Sequence, residues 1–139
     1  MYRKVLILGI GLSLLFLMTS CTKAAEASTV RVTANEWSLM PDSSSVRAGQ
    51  VTFETLNQGR AGHEVVVLKT ALAADALKVK ANGAEVDEIG SGQIIGELED
   101  IGAGQTKSMT LILAPGRYVL VCNILGHYYA GMVTVLEVS

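Results

Sequence analysis

A short run near the C-terminus, residues 119–133, constrains the chain more than any other part of it. It carries a thiol, an imidazole and a thioether at even spacing: Cys122, His127 and Met132, each five residues after the last. An alternating, β-branched segment leads in through Tyr118, Val119, Leu120 and Val121, and another leads out from Val133 to Val138. Period-two alternation marks half-buried strands, so the three side chains belong to one loop between two strands. Their donor chemistry narrows the choice of metal. Imidazole suits zinc, copper, iron and nickel, whereas cysteine and methionine together favour copper, and two histidines with one cysteine and a weak methionine describe an electron-transfer site. Zinc is served less well, because structural zinc takes four strong donors and helical zinc signatures place two histidines on one turn. The sequence holds two histidines, so His63 is the one available source of the missing imidazole.

Taken singly, each of these residues has an ordinary reading. Cys122 is a small hydrophobe, Met132 a gap-filler, His127 a surface residue and His63 a satisfied structural histidine. Taken together, at this spacing and between these strands, they read as a metal centre. The Cys122, His127 and Met132 spacing, with Gly126 before the histidine and Gly131 before the methionine, resembles the C-terminal ligand loop of the cupredoxins. Its length is that of the rusticyanin, sulfocyanin and auracyanin branches. Residues 57–67, from Asn57 through His63 into a valine run, are similar to the strand that carries the family's first histidine. The resemblance spans residues 29–139 and implies one type 1 copper per chain, held by His63, Cys122, His127 and Met132. It further implies an electron port at His127, with Leu125, Tyr128 and Tyr129 as candidates for an apolar docking patch, although packing is an equal reading for both tyrosines. Asn57 and Asn123 are candidates to support the ligands from behind. Two positions depart from the family pattern. Leu125 stands where many members carry proline, and Glu64 stands where several carry an asparagine beside the thiolate; both bear on potential and colour rather than on ligand identity.

The N-terminus reads as a targeting segment. Arg3 and Lys4 precede an apolar run that ends in small residues at Cys21, the pattern of a secretory signal and too short for a comfortable membrane span. Residues 18–21 resemble a bacterial lipobox, with lipid carried on Cys21, residues 22–27 as a tether and 28–139 as the folded domain. Cleavage after Ala27 to a soluble protein, or an uncleaved anchor, are the alternatives. In either case the domain is expected to be exported, periplasmic or at the cell surface. Beyond Arg3 and Lys4 there are nine basic and thirteen acidic residues. The bases are scattered singly, which argues against nucleic-acid binding. With Cys21 lipidated, Cys122 is the one remaining thiol, and an unpaired thiol in an oxidising compartment needs burial or a metal.

Along the rest of the chain, strands are expected over residues 30–34, 45–49, 51–57, 64–68, 93–98 and 106–113, with a turn region over 36–44. Trp37, the single tryptophan, is expected in the core. The richest helical window is 70–80, where Leu72, Ala76 and Val79 would share a face. The acidic residues from Glu85 to Glu88 and from Glu97 to Asp100 lack the ligand spacing of a calcium loop and read as solvated charge. Seven to eight short strands with one short helical insertion predict an all-β Greek-key β-sandwich. The function expected is that of a one-electron carrier between redox proteins such as a cytochrome or a terminal oxidase, working as a monomer. A copper delivery or buffering protein is the alternative. Copper enzymes need a second centre with further histidines, which two histidines cannot supply.

Overall fold

The computed structural model describes residues 27–139, all of the expected folded domain; the signal segment, Cys21 and most of the tether lie outside the described residues. Among the described residues, nine strands form two facing sheets. In chain order they are β1 (Ser28–Asn35), β2 (Ser38–Pro41), β3 (Ser45–Val46), β4 (Gly49–Asn57), β5 (His63–Lys69), β6 (Gln93–Ile101), β7 (Thr106–Leu113), β8 (Gly116–Val121) and β9 (Val133–Val138). One sheet runs β2-β1-β4-β7 and the other β3-β9-β8-β5-β6. Both are mixed: β1 lies parallel to β4 and β3 parallel to β9, and the remaining pairs are antiparallel. The expected all-β sandwich is present. β2 is the added strand, formed inside the segment read as a turn, where Leu39 is buried against the core.

Alternation explains the first sheet. In β1 the side chains of Val30, Val32 and Ala34 point inward, and in β4 Val51 and Phe53 do the same. The second sheet follows a different logic at its centre. β5 and β8 are buried along most of their length, and their apolar runs are nearly continuous, as expected of strands covered on both faces. Val65, Val67, Leu120 and Cys122 face the first sheet. Val66, Leu68, Val119 and Val121 face a second cluster completed by Leu77, Val86 and Tyr128.

That second cluster is roofed by the insertion between β5 and β6, and here the expected helix over 70–80 does not form. The chain runs mostly extended, with a single 3-10 turn at Ala74–Ala76 and a bridge between Val79 and Val86. The buried residue is Leu77, outside the face of Leu72, Ala76 and Val79 that a helix would present. An eleven-residue helix is marginal on propensity alone, and tertiary contacts decide the outcome. Leu77 N donates to Tyr128 Oη at 3.1 Å, Lys78 N donates to Ser91 Oγ at 2.8 Å, and Leu77 packs on the sheet. The helix appears later instead, as the single turn α1 (Glu88–Ser91), capped by Asp87, whose carboxylate accepts from Gly90 N at 3.0 Å.

The inward side of β4 is packed into the core, with Val51 and Phe53 fully buried. Phe53→Ala, which empties a fully buried aromatic position, should lower the unfolding free energy of the metal-free protein by about 3–5 kcal/mol. Ile112→Ala, on the exposed side of the adjacent β7, should change it by no more than about 0.5 kcal/mol. Equilibrium denaturation of the two variants checks both values.

Candidate metal centre

His63 opens β5, and Cys122 directly follows β8. The two strands are antiparallel neighbours with Val66 opposite Val121, so residues far apart in sequence meet at one end of the sheet. The loop 123–131 then folds back over that end. Cys122 N donates to Met132 O at 3.0 Å, Met132 N to His127 O at 3.1 Å, and His127 N to Ile124 O at 2.9 Å. Gly126 (φ 82°) and Gly131 (φ 108°) turn the loop through left-handed conformations that a side chain would strain. At Gly131 an added Cβ would also stand 3.3 Å from the Trp37 carbonyl oxygen.

These turns bring the expected donors together. Cys122 Sγ lies 3.3 Å from His127 Nδ1 and 3.9 Å from His63 Nδ1, and all three donor atoms fall within 4.8 Å of one another. Two donors bound to one first-row ion through bonds of about 2.0 and 2.3 Å stand roughly 3.5–3.8 Å apart, so the observed distances bracket what a shared ion requires. His63 and Cys122 are fully buried, and His127 is nearly so. Met132 is fully buried in the same cluster as Cys122.

Burial sets the electrostatics. It lowers the pKa of His63, helped by the neighbouring His127, and it lowers that of His127 as well. It raises that of the Cys122 thiol. The backbone dipoles of Glu64 and Ile124 oppose that rise, while the Glu64 carboxylate adds to it. The metal-free site is therefore a neutral thiol between two neutral imidazoles. A cation that replaces the thiol proton would find an anionic sulfur between two neutral imidazoles. The donor set and its geometry fit copper.

The supporting residues hold backbone rather than ligands. Asn57 is buried and pins the loop before His63: its Nδ2 donates to Ala61 O at 2.7 Å and Ile101 O at 2.8 Å, and its Oδ1 accepts from Gly59 N at 2.8 Å. Asn123 pins the insertion, bonding both backbone groups of Val86 and the Glu88 carboxylate. Glu64 accepts from Asn123 N at 3.0 Å, which joins the start of β5 to the end of β8. Burial first, and then the charges of Glu88, Glu99 and Glu97, raise the Glu64 pKa, and the Asn123 amide opposes them.

The surface differs in part from expectation. Leu125 and Tyr129 are exposed, at 65 and 61 %. Tyr128 is buried instead, with its hydroxyl donating to Ala74 O at 3.0 Å, so the packing reading holds for it and it offers no docking surface. Trp37 is not a core residue: it is 59 % exposed, with its ring edge-on to His127 at 5.8 Å and 79°. No periodicity could have found it, because it stands in the turn between β1 and β2, and only the approach of that turn to Gly131 brings it to the site.

The neutral, buried imidazoles generate a pH dependence. Both folded-state values are depressed, so the unfolded chain takes up protons first, around the ordinary value of 6.5. Stability contributed by the neutral rings is thus present above that value and is lost as pH falls below it. Denaturation of the metal-free protein across pH 5–8 should show this loss, and a His63→Gln, His127→Gln double variant should flatten it.

The family model for the cupredoxin-like domain matches residues 8–135. No curated protein matches the chain. Among solved structures, Na-dithionite reduced auracyanin from the photosynthetic bacterium Roseiflexus castenholzii shares 24 % identity at a TM-score of 0.59, over 81 % of this chain and 97 % of that one. Auracyanin A from Chloroflexus aurantiacus, described as a "blue" copper protein, shares 24 % at 0.58 over 82 and 100 %. Rusticyanin from Thiobacillus ferrooxidans shares 18 % at 0.55 over 81 and 78 %. With the two-sheet sandwich and the buried histidine–cysteine–histidine cluster at its end, the match over most of the sequence places this chain in the cupredoxin family.

Proposed function

We propose that the chain is an exported type 1 copper protein that carries single electrons between redox proteins. The observation that carries this reading is the preformed, buried meeting of His63, Cys122 and His127 on a rigid two-sheet frame. Bound there, copper supplies one-electron exchange between its two oxidation states. His63 and His127 would hold it through neutral ring nitrogens and Cys122 through its sulfur, and Met132 would add a weak fourth donor that tunes the potential. Rigidity favours electron transfer, because a site that cannot rearrange opposes a large change of geometry between the two states. It disfavours the alternative of copper delivery, which calls for donors open to an acceptor protein; here Cys122 and His63 are shut in the core.

His127 is the ligand nearest the surface, and Trp37, Leu125 and Tyr129 supply exposed apolar groups on its turn and loop. A partner such as a cytochrome or a terminal oxidase would dock there, against a monomer. Lipid on Cys21, with residues 22–27 as tether, would hold the domain at the outer face of the cytoplasmic membrane. Among the described residues no helix is long and apolar enough to cross a membrane.

Loading with Cu(II) should produce an intense thiolate-to-copper band in the visible spectrum. Cys122→Ser should abolish it. Met132→Leu should retain the band and raise the reduction potential, since loss of the thioether removes a donor that favours Cu(II). Stoichiometric zinc with no visible band would overturn the proposal.

A further inference from the structure

One ring nitrogen of the site is turned away from the donor cluster. His63 turns Nδ1 toward Cys122, while its Nε2 is buried and has no hydrogen-bond partner among the described residues. With Nδ1 serving as the donor, Nε2 must carry the proton, because a neutral imidazole has one N–H and one lone pair. A buried N–H is costly to leave unmet. Gly59 locates the group that can meet it. A Cβ at that position would stand 3.1 Å from His63 Nε2, 3.1 Å from Glu36 Oε2 and 3.2 Å from Asn57 Oδ1. Three polar atoms converge on a gap that the missing side chain keeps open. Asn57 Oδ1 already accepts from Gly59 N. Glu36 is anchored through its other oxygen, Oε1, which accepts from Arg60 N at 2.6 Å, and this leaves Oε2 bordering the gap.

We propose that Glu36 is the outer partner of His63: its Oε2, which borders the same gap but makes no direct hydrogen bond to Nε2 in this structure, accepts the Nε2 proton when the side chain closes on the space that Gly59 leaves, and so fixes the tautomer that offers Nδ1 to the metal. Glu36 is thus a positioning residue. A carboxylate behind a ligating imidazole orients the ring and raises its basicity. The charges agree with the geometry: Glu36 raises the His63 pKa against the larger effect of burial, and the Glu36 pKa is lowered chiefly by the Arg60 amide, with a smaller contribution from His63. The turn between β1 and β2 then touches both rings, with Glu36 behind His63 and Trp37 against His127. This inference rests on the copper reading of the site.

Glu36→Gln tests it with little change of shape. Glutamine has one carbonyl oxygen, which can serve the Arg60 amide or the His63 N–H but not both. Gly59→Ala tests it from the other side by placing a methyl between the two groups. Ring-nitrogen NMR of the metal-free protein reads the tautomer without copper. The native protein should show His63 protonated at Nε2 alone, and both variants should show a tautomer mixture. In the copper-loaded protein, affinity should fall roughly 10- to 100-fold and the potential should rise as a negative charge is removed, with Glu36→Asp recovering part of both. An unchanged tautomer and unchanged affinity in Glu36→Gln would overturn the proposal. Should Gly59→Ala fail to fold, Glu36→Gln decides alone. A tautomer change in a protein that takes up no copper would support Glu36 as partner while sinking the copper reading.

Discussion

His63 and Cys122 stand 59 positions apart and touch only because β5 and β8 are hydrogen-bonded to each other, with Val66 opposite Val121 and Val67 opposite Leu120. The position of every other group at the site depends on that ladder. A slip of one residue would turn each side chain to the opposite face, sending Cys122 away from the core. Burial on both faces is what forbids the slip. The outward valines of β5 and β8 are committed to the insertion, and the inward ones to the first sheet, so neither set tolerates exchange. The polar ties at the end of the pair act in the same sense, since the Glu64 carboxylate closes on the amide that follows Cys122.

A buried site has to be neutral before it is filled, and the surroundings make it so. Burial holds the thiol protonated and both imidazoles uncharged. The polar groups nearby are spent on backbone: Asn57 on the loop before His63, and Asn123 on the insertion. What acts on the sulfur besides the two rings is the backbone of Glu64 and Ile124, which holds the thiol pKa down against burial. Fixed dipoles of this kind can stabilise an anionic sulfur without introducing a competing charge. The donor cage is thus assembled by the fold rather than by the ion.

Much of this was legible beforehand. Spacing and donor chemistry named Cys122 and His127, and the need for a second imidazole then named His63; alternation, apolar runs and turn signals located eight of the nine strands of the described residues, because those signals are local. What escaped depends on long-range contact. β2 is a four-residue strand whose partner, β1, supplies the evidence for it. The alanine-rich window looked helical by composition, yet Leu77 and Tyr128 hold it extended. Trp37 looked like core by residue type, although its turn carries it to the surface beside His127. Glu36 and Gly59 carry no motif at all; they matter through the one buried nitrogen they adjoin.

The Tyr128 hydroxyl has a further consequence. It sits one residue beyond His127, gives its proton to Ala74 and accepts the amide of Leu77, so the ligand loop is latched to a segment about fifty positions upstream. The loop is therefore no self-contained cassette. Transplanting it into another sandwich would leave this phenol without its two carbonyl and amide mates. A graft that preserved the original geometry would need to carry the insertion of residues 70–92 along with it.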